Sequence, residues 1–132
     1  MNLYIATPST LRHIAASIAS IAEQYGFKIS HRWWEDYHLR DDYAKEATLD
    51  LLAVIASDAL VVWYDPDVAS EGIHVELGTA YAKGKRILVV VHQDKYLQAM
   101  SRSIWLHLKT VDVATVDSVA GVAAVLEEYA KA

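Results

Sequence analysis

One glutamate in this chain stands in a pattern that suits nucleophilic chemistry. Glu76 lies just inside a segment with helical spacing, and Gly72 at i−4 and Ala80 at i+4 leave room beside it for a ligand. The dipole at the start of a helix favours the ionised carboxylate by up to ~1 kcal/mol. An ionised, oriented carboxylate can attack an electrophilic carbon such as C1 of a sugar. A solvated helix glutamate is the alternative, and from spacing alone it is the more common one.

Tyr4 is the residue best placed to interact with that carboxylate. It lies in the first apolar segment, Asn2 to Ala6, and its hydroxyl could hydrogen-bond Glu76 across a crevice. A packed strand tyrosine is the alternative. Thr7 and Ser9 follow this segment directly, so their hydroxyls are expected at the same crevice.

The elements that must position these groups centre on one βαβ unit. Its strands, Ala59 to Tyr64 and Ile87 to Val91, are apolar throughout, as a parallel sheet covered on both faces requires. Between them lies a helical pattern with Ile73, Leu77, Ala80 and Gly84 on one side. The loop before the helix contains Ser70, at the carboxyl end of a strand, where open α/β sheets place their ligands.

The rest of the chain alternates in the same way. Before the central unit we expect a strand over 2–6, a helix from Leu11 to Gly26 and a strand from Phe27 to Trp34. A polar loop begins at Glu35, and the helix after it is capped by Asp41 or Asp42 and runs to about Ser57, with Leu51, Leu52, Val54 and Ile55 on its buried side. After the central unit we expect a helix from Tyr96 to Leu108, a strand from Thr110 to Val113, and a helix from Ser118 to Lys131 capped by Asp117.

This alternation predicts an α/β fold. We expect residues 1–132 to form a single doubly wound domain, flavodoxin/Rossmann-like, with a five-stranded parallel sheet in the order 2-1-3-4-5 and helices on both faces. In that order the Thr7 loop and the Ser70 loop face one crevice. Trp33, on the second strand, could stack on a base there, although core packing is the more common role of such a residue.

Composition excludes several functional classes. The 132 residues carry a net charge of −5, which argues against a nucleic-acid partner. With no cysteine, disulfides and thiol chemistry are excluded, and the six histidines form no metal-binding motif, so we expect no metal and no cofactor. No apolar run is long enough to span a membrane and the start of the chain does not read as a signal peptide, so we expect a cytoplasmic protein.

Several of these residues together resemble a known family. Tyr4 on the first strand, Asp50 eight residues before Asp58, and the run Gly72-Ile73-His74-Val75-Glu76-Leu77-Gly78, followed by Gly84-Lys85, are similar to the nucleoside 2-deoxyribosyltransferase superfamily. That superfamily includes 2'-deoxynucleoside 5'-monophosphate N-glycosidases. The resemblance covers most of the chain and is strongest from Asp50 to Val91.

The resemblance implies a role for each of these residues. Glu76 would attack C1' of the deoxyribose and form a glycosyl-enzyme ester, Tyr4 would orient it, and Asp50 would protonate or hydrogen-bond the departing base. The candidate substrate-binding residues are Thr7, Ser9, Trp33, Ser70, Gly72 and His74. A helix-surface charge is the alternative for Asp50.

The position six residues before the glutamate separates two branches of this superfamily. The resemblance associates an aspartate there with transferases, and a serine that binds the 5'-phosphate with nucleotide hydrolases. This chain has Ser70, and a hydroxyl beside the free N–H groups of a helix N-terminus suits a phosphate. The first loop, Thr7 to Thr10, lacks the arginine of the Gly-Ser-x-Arg loop of the hydrolases, so the choice between nucleotide and nucleoside stays open.

The first expectation is therefore cleavage of the N-glycosidic bond of a 2'-deoxynucleoside 5'-monophosphate, which releases the free base. The alternatives are a transferase that exchanges bases between deoxynucleosides, a non-catalytic nucleotide-binding or signalling module, and, more weakly, a TIR-like NAD-cleaving domain. Each of them takes a small-molecule nucleoside or nucleotide. The resemblance also implies a homodimer or a higher homo-oligomer whose neighbouring subunit helps to close the site.

Overall fold

The computed structural model describes residues 1–131, and Ala132, the last residue of the expected domain, lies outside them. Five parallel strands form one sheet in the order β2-β1-β3-β4-β5, which confirms the predicted α/β fold and strand order. The main elements are β1 (Asn2–Ala6), α1 (Arg12–Gln24), β2 (Lys28–Ile29), α2 (Tyr43–Ala56), β3 (Ala59–Trp63), α3 (Glu71–Ala82), β4 (Arg86–His92), α4 (Tyr96–Arg102), β5 (Val111–Val116) and α5 (Val122–Lys131).

The sheet forms the core because its central strands are apolar on both faces. Every residue of β3 is buried, as are Leu3 to Ala6 of β1 and Ile87 to Val91 of β4. The chain leaves β1 in one direction to form β2 and then returns past β1 to form β3, β4 and β5. Right-handed crossovers therefore place α1 on one face and α2 and α3 on the other. In agreement, α1 packs against α5 and α2 against α3. No helix within residues 1–131 has the length and apolarity needed to cross a membrane.

The second strand is much shorter than predicted. It ends at Ile29, and Trp33 lies in a turn, so the expected strand from Phe27 to Trp34 is wrong beyond its first residues. The backbone N–H of Ser30 still donates to the carbonyl of Leu3, at 2.9 Å. At the next pairing position the indole Nε1–H of Trp33 donates to the carbonyl oxygen of Ile5, at 2.7 Å. A side chain thus satisfies the backbone acceptor that a longer β2 would have paired, and the chain is free to leave the sheet edge.

The exposed side of α2 also differs from the prediction. Asp42 does cap this helix, because its carboxylate accepts a hydrogen bond from the backbone N–H of Lys45 at 3.1 Å. Of the four side chains expected on the buried side, only Val54 is fully buried, while Leu52 is 56% exposed and Ile55 is 37% exposed. The prediction was wrong because this half of α2 is apolar on more than one side, and periodicity alone cannot then identify the side that faces the sheet.

Three predicted boundaries near the C-terminus change. The helix expected from Tyr96 to Leu108 ends at Arg102, where an extended Ser103 leads into a 3₁₀ turn. The last strand continues three residues beyond Val113. Asp117 does not cap the final helix, because a 3₁₀ turn without a side-chain cap precedes it.

Candidate active site

A cleft of about 440 Å³ opens at the carboxyl ends of β1 and β3, where the order of the strands reverses. Eight of the nine candidate residues line it: Tyr4, Thr7, Ser9, Trp33, Asp50, Ser70, Gly72 and Glu76. They come from β1, the loops that follow β1, β2 and β3, and helices α2 and α3. Residues up to 72 positions apart in the chain, Tyr4 and Glu76, therefore meet in one place.

The ninth candidate, His74, does not line the cleft. It lies two residues from Glu76 on α3, which corresponds to about 200° around the helix, so the two side chains point in nearly opposite directions. Its Nδ1 is 2.9 Å from the carbonyl oxygen of Ser70, and its ring meets the ring of Tyr64 edge to face. This geometry gives His74 a contact with the turn before α3, not a contact with a ligand in the cleft.

Glu76 is half-buried, and its environment sets its charge. The pKa of its carboxyl is raised from 4.5 to about 7, chiefly by burial, and the negative charge of Asp50 acts in the same direction. A hydrogen bond from the Tyr4 hydroxyl and the positive charge of Arg40 lower this pKa. Near neutral pH the carboxyl is therefore divided between its acid and its ionised form, and the ionised form is favoured by Tyr4 and Arg40.

Tyr4 lies on β1 beneath this carboxyl and is almost completely buried. Burial, followed by the charges of Glu76 and Asp50, raises the pKa of its phenol well above the ordinary value of 10.0. The hydroxyl consequently stays protonated at any pH at which the protein would act, and it remains a hydrogen-bond donor to Glu76.

Asp50 reaches the same cleft from α2. Its Oδ1 lies 3.4 Å from Nη2 of Arg40 and 3.4 Å from Nε2 of His31. Burial raises the pKa of this carboxyl, and the charges of Arg40 and His31 oppose that shift. Asp50 thus supplies a second carboxyl group, separate from Glu76, with one oxygen that accepts a hydrogen bond from Arg40.

The other end of the cleft is lined by hydroxyl groups and by the first turn of α3. Ser70 is the N-cap of this helix, and its Oγ accepts a hydrogen bond from the backbone N–H of Ile73 at 3.4 Å. Thr7 and Ser9 line the same cleft from the loop after β1. A Cβ atom added at Gly72 would meet no atom within 4 Å, so the space next to the helix N-terminus is open.

Sequence reasoning missed several lining residues, most of them in or near the segment between β2 and α2. Tyr37, Arg40, Tyr43 and Glu46 all line the cleft. The guanidinium of Arg40 lies 4.7 Å from the centre of the Tyr37 ring. The sequence did contain a signal for them, because this otherwise polar segment carries two tyrosines and an arginine.

Arg12 is a further residue near the cleft. It is the first residue of α1, and its side chain folds back so that Nη1 donates to the carbonyl oxygen of Ser9 at 3.0 Å. Its guanidinium lies 5.0 Å from the centre of the Tyr37 ring. Because Ser9 and Tyr37 both line the cleft, these contacts hold a positive charge at its rim.

Three or more metal-ligating side chains do not come together anywhere in the part of the chain that the structure describes. The donor set of the cleft is that of an acid–base site. It has a carboxyl on α3, a second carboxyl on α2, a phenol on β1 and hydroxyls beside a helix N-terminus.

The sequence profile of the family described as nucleoside 2-deoxyribosyltransferase matches residues 3–127. This chain belongs to that family. Membership of the nucleoside 2-deoxyribosyltransferase family associates the cleft with chemistry at the glycosidic bond of nucleosides. No curated protein matches the chain by sequence.

Solved structures resemble this family member in fold. The CMP N-glycosidase BcmB of Clostridium botulinum superposes with a TM-score of 0.73 at 17% identity, with 98% of this chain and 99% of that chain covered. A conserved protein from Enterococcus faecalis V583 gives 0.60 at 19% identity, with 98% of each chain covered. A de novo designed Rossmann 2x3 fold protein gives 0.57 at 14% identity, with coverage of 98% and 88%. At these identities the likeness shows the shared Rossmann-type fold.

Proposed function

We propose that the protein cleaves the N-glycosidic bond of a 2'-deoxynucleoside 5'-monophosphate and releases the free base. The observation that carries this proposal is the pairing of two separate carboxyl groups, Glu76 and Asp50, in one cleft with the Tyr4 phenol, which hydrogen-bonds Glu76. A retaining glycosidase needs a nucleophilic carboxylate and a second carboxyl group as proton donor. The family's association with nucleoside glycosidic bonds supplies the substrate class.

The reaction proceeds in two displacements. The Glu76 carboxylate attacks C1' of the sugar as the bond between C1' and the base nitrogen breaks, and Asp50 donates a proton to the departing base. Water then attacks C1' of the glycosyl ester and gives a proton to Asp50, which regenerates the Glu76 carboxylate and leaves the sugar with its original configuration. Tyr4 stabilises the ionised form of Glu76 in the free enzyme and after the ester breaks.

The hydroxyl-lined end of the cleft supports a phosphate on the substrate. Ser70 accepts a hydrogen bond from Ile73, so its own hydroxyl proton remains free to donate to an anion beside the α3 N-terminus. Arg12 donates one N–H to Ser9 and keeps further donors at the rim. Arg12 thereby provides the positive charge that the short loop from Thr7 to Thr10 lacks. The neighbour described as a CMP N-glycosidase also acts on a nucleoside monophosphate.

The test is chromatographic detection of free base after incubation with a panel of deoxynucleosides and their 5'-monophosphates, with and without an added acceptor base. We expect base release from monophosphates without an acceptor, and loss of release by several orders of magnitude in Glu76→Gln. The control is His74→Gln on the same helix, which should retain wild-type rates because His74 lies outside the cleft.

Other outcomes would replace this proposal with a different one. Exchange that requires the acceptor base would assign the protein to the base-exchanging transferases. Nucleotide binding without base release, unchanged in Glu76→Gln, would indicate a non-catalytic binding module. Near-normal rates in Glu76→Gln would exclude Glu76 as the nucleophile.

A second copy of the chain is proposed to cover the exposed apolar side of α2. Leu49, Leu52 and Ile55 recur at i, i+3 and i+6 and are all exposed, and Val75 is exposed on the neighbouring α3. A stripe of large apolar side chains on packed helices is typical of a subunit interface. Tyr43, on the same helix, lies at the cleft and is also exposed, so a partner on this side would lie next to the substrate.

A further inference from the structure

We infer that Arg40 is the positioning residue of this site: its immobilised guanidinium contacts Asp50 and Glu46 and places a positive charge among the carboxyl groups of the cleft, Glu76 included. The inference rests on the proposed function, which assigns Glu76 as the nucleophile. The geometry of Arg40 and its electrostatic effect can nevertheless be tested without any turnover.

The side chain of Arg40 is held in place by contacts on several sides. Its Nη2 lies 3.4 Å from Oδ1 of Asp50, and its Nε lies 3.5 Å from Oε2 of Glu46. Its guanidinium also packs over aromatic rings, 4.7 Å from the ring centre of Tyr37 and 5.9 Å from that of Trp33. Only 18% of the side chain is exposed, so this cation is fixed at the wall of the cleft and is poorly screened by solvent.

The positive charge of Arg40 matters because the other charged groups that line the cleft are carboxyl groups. Four carboxyl groups line the cleft, from Glu46, Asp50, Glu71 and Glu76. Among residues 1–131, Arg40 is the sole basic residue that lines it. Like charges that share a cleft raise one another's pKa, and an opposite charge lowers it. Without Arg40, the negative charges of these carboxyl groups would be uncompensated, and a larger fraction of them would be protonated at neutral pH.

The groups that act on Glu76 come from several elements, and Arg40 supplies the positive charge among them. Tyr4 on β1 hydrogen-bonds Glu76, Asp50 on α2 repels it, and Arg40 lowers the pKa of Glu76 and of Asp50. His31 acts on Asp50 from the loop after β2, at 3.4 Å. Because Arg40 acts on both carboxyl groups of the proposed reaction, its removal should shift the titration of both in the same direction.

The experiment is a ¹³C NMR titration of the side-chain carboxyl groups in protein labelled at Asp and Glu, with Glu76→Gln used to assign the Glu76 signal. In wild-type protein, the midpoint of Glu76 is expected at about 7. In Arg40→Met the midpoint should rise by roughly 0.5 to 1 pH unit, because an opposite charge has been removed. Arg40→Lys, which keeps the charge, should lie close to wild type.

Arg32→Met is the matched control. Arg32 lies in the same segment, forms ion pairs with Glu23 and Glu35 and packs over the ring of Trp34, but it does not line the cleft. Its removal should leave the Glu76 midpoint unchanged. If Arg40→Met does not fold, as judged by circular dichroism, Arg40→Gln is titrated in its place.

The pH dependence of kcat/KM for base release gives a second readout. The acid limb requires ionised Glu76, so it should move upward with the NMR midpoint in Arg40→Met. A rise of one unit would lower the ionised fraction at pH 7 from about one half to about one tenth. At pH 9 the rate should return to near wild type.

The outcomes separate this inference from the proposed function. An unmoved or lowered Glu76 midpoint in Arg40→Met would overturn the role of Arg40, and so would an equal loss of rate at every pH. Absence of base release in wild-type protein would refute the proposed function, and the titration alone would then decide whether Arg40 sets the charge of Glu76.

Discussion

The hydrogen bond from Tyr4 to Glu76 can be removed with a single-atom change. Tyr4→Phe keeps the ring in its buried position on β1 and deletes only the hydroxyl. That hydroxyl lowers the pKa of Glu76 because it stabilises the ionised form. In the variant the pKa must therefore rise above about 7, and the nucleophilic carboxylate becomes scarcer at neutral pH.

The size of this effect follows from the strength of a hydrogen bond to a charged group, roughly 1.5 to 3 kcal/mol. Since one pKa unit corresponds to about 1.4 kcal/mol, the pKa of Glu76 should rise by roughly one to two units. The ionised fraction at pH 7 then falls from about one half to between about 1% and 10%. The rate of base release at pH 7 should fall roughly 5- to 50-fold, and most of it should return at pH 10.

The assay is base release measured from pH 5 to pH 10 in wild type, Tyr4→Phe and Tyr129→Phe. Tyr129 is the matched control, because its buried hydroxyl has no hydrogen-bond partner among residues 1–131 and lies outside the cleft. Its removal should leave the pH profile unchanged and should not destabilise the fold. A loss in Tyr4→Phe that is equal at all pH values would refute the reasoning, because Tyr4 would then act in a step that does not depend on the ionisation of Glu76.

Three further predictions concern stability, the phosphate and the subunit interface. Glu76 titrates at a higher pH in the folded than in the unfolded chain, so its ionisation destabilises the fold by an amount that is zero below pH 4.5 and grows to roughly 2 to 3 kcal/mol above pH 7. Glu76→Gln should therefore raise the Tm at pH 8 and leave it nearly unchanged at pH 4. Equal changes in Tm at both pH values in calorimetry would contradict this. In the base-release assay, Arg12→Met should raise KM for a 5'-monophosphate about tenfold and leave KM for the nucleoside unchanged. Equal effects on both values of KM would exclude phosphate contact by Arg12. Leu52→Lys should shift the protein toward a monomer in sedimentation velocity, whereas the control Leu97→Lys, at an exposed leucine on α4, should not. An unchanged assembly in Leu52→Lys would place any interface elsewhere.

The fold was predictable because the strands of the central βαβ unit are continuously apolar. Runs such as Ala59 to Tyr64 and Ile87 to Val91 admit few structures other than buried parallel strands, and the alternation with helical segments then selects the strand order. The meeting of Tyr4, Asp50 and Glu76 in one cleft followed from that order and from the family resemblance.

What the sequence did not predict depends on single side-chain contacts. The early end of β2 depends on one indole hydrogen bond to Ile5, which no periodicity reveals. The role of Arg40 depends on a chain reversal that includes Asp36 in the left-handed region, at φ 53°, a conformation that few side-chain types adopt readily. His74 was expected at the cleft as part of the run from Gly72 to Gly78 that carries the family resemblance, but a residue two positions from Glu76 points away from it on a helix.

The early end of β2 has a consequence for how substrate choice can diverge among related proteins. The segment from Ser30 to Asp42 forms part of the cleft wall, and its bonds to β1 come from the backbone of Ser30 and the indole of Trp33. An insertion or deletion there would change which aromatic and charged groups meet the substrate without altering the register of β1 and β3, which carry Tyr4 and lead to Glu76. Grafting this segment between homologues, with Arg40 retained because it contacts Asp50, offers a direct route to altered specificity.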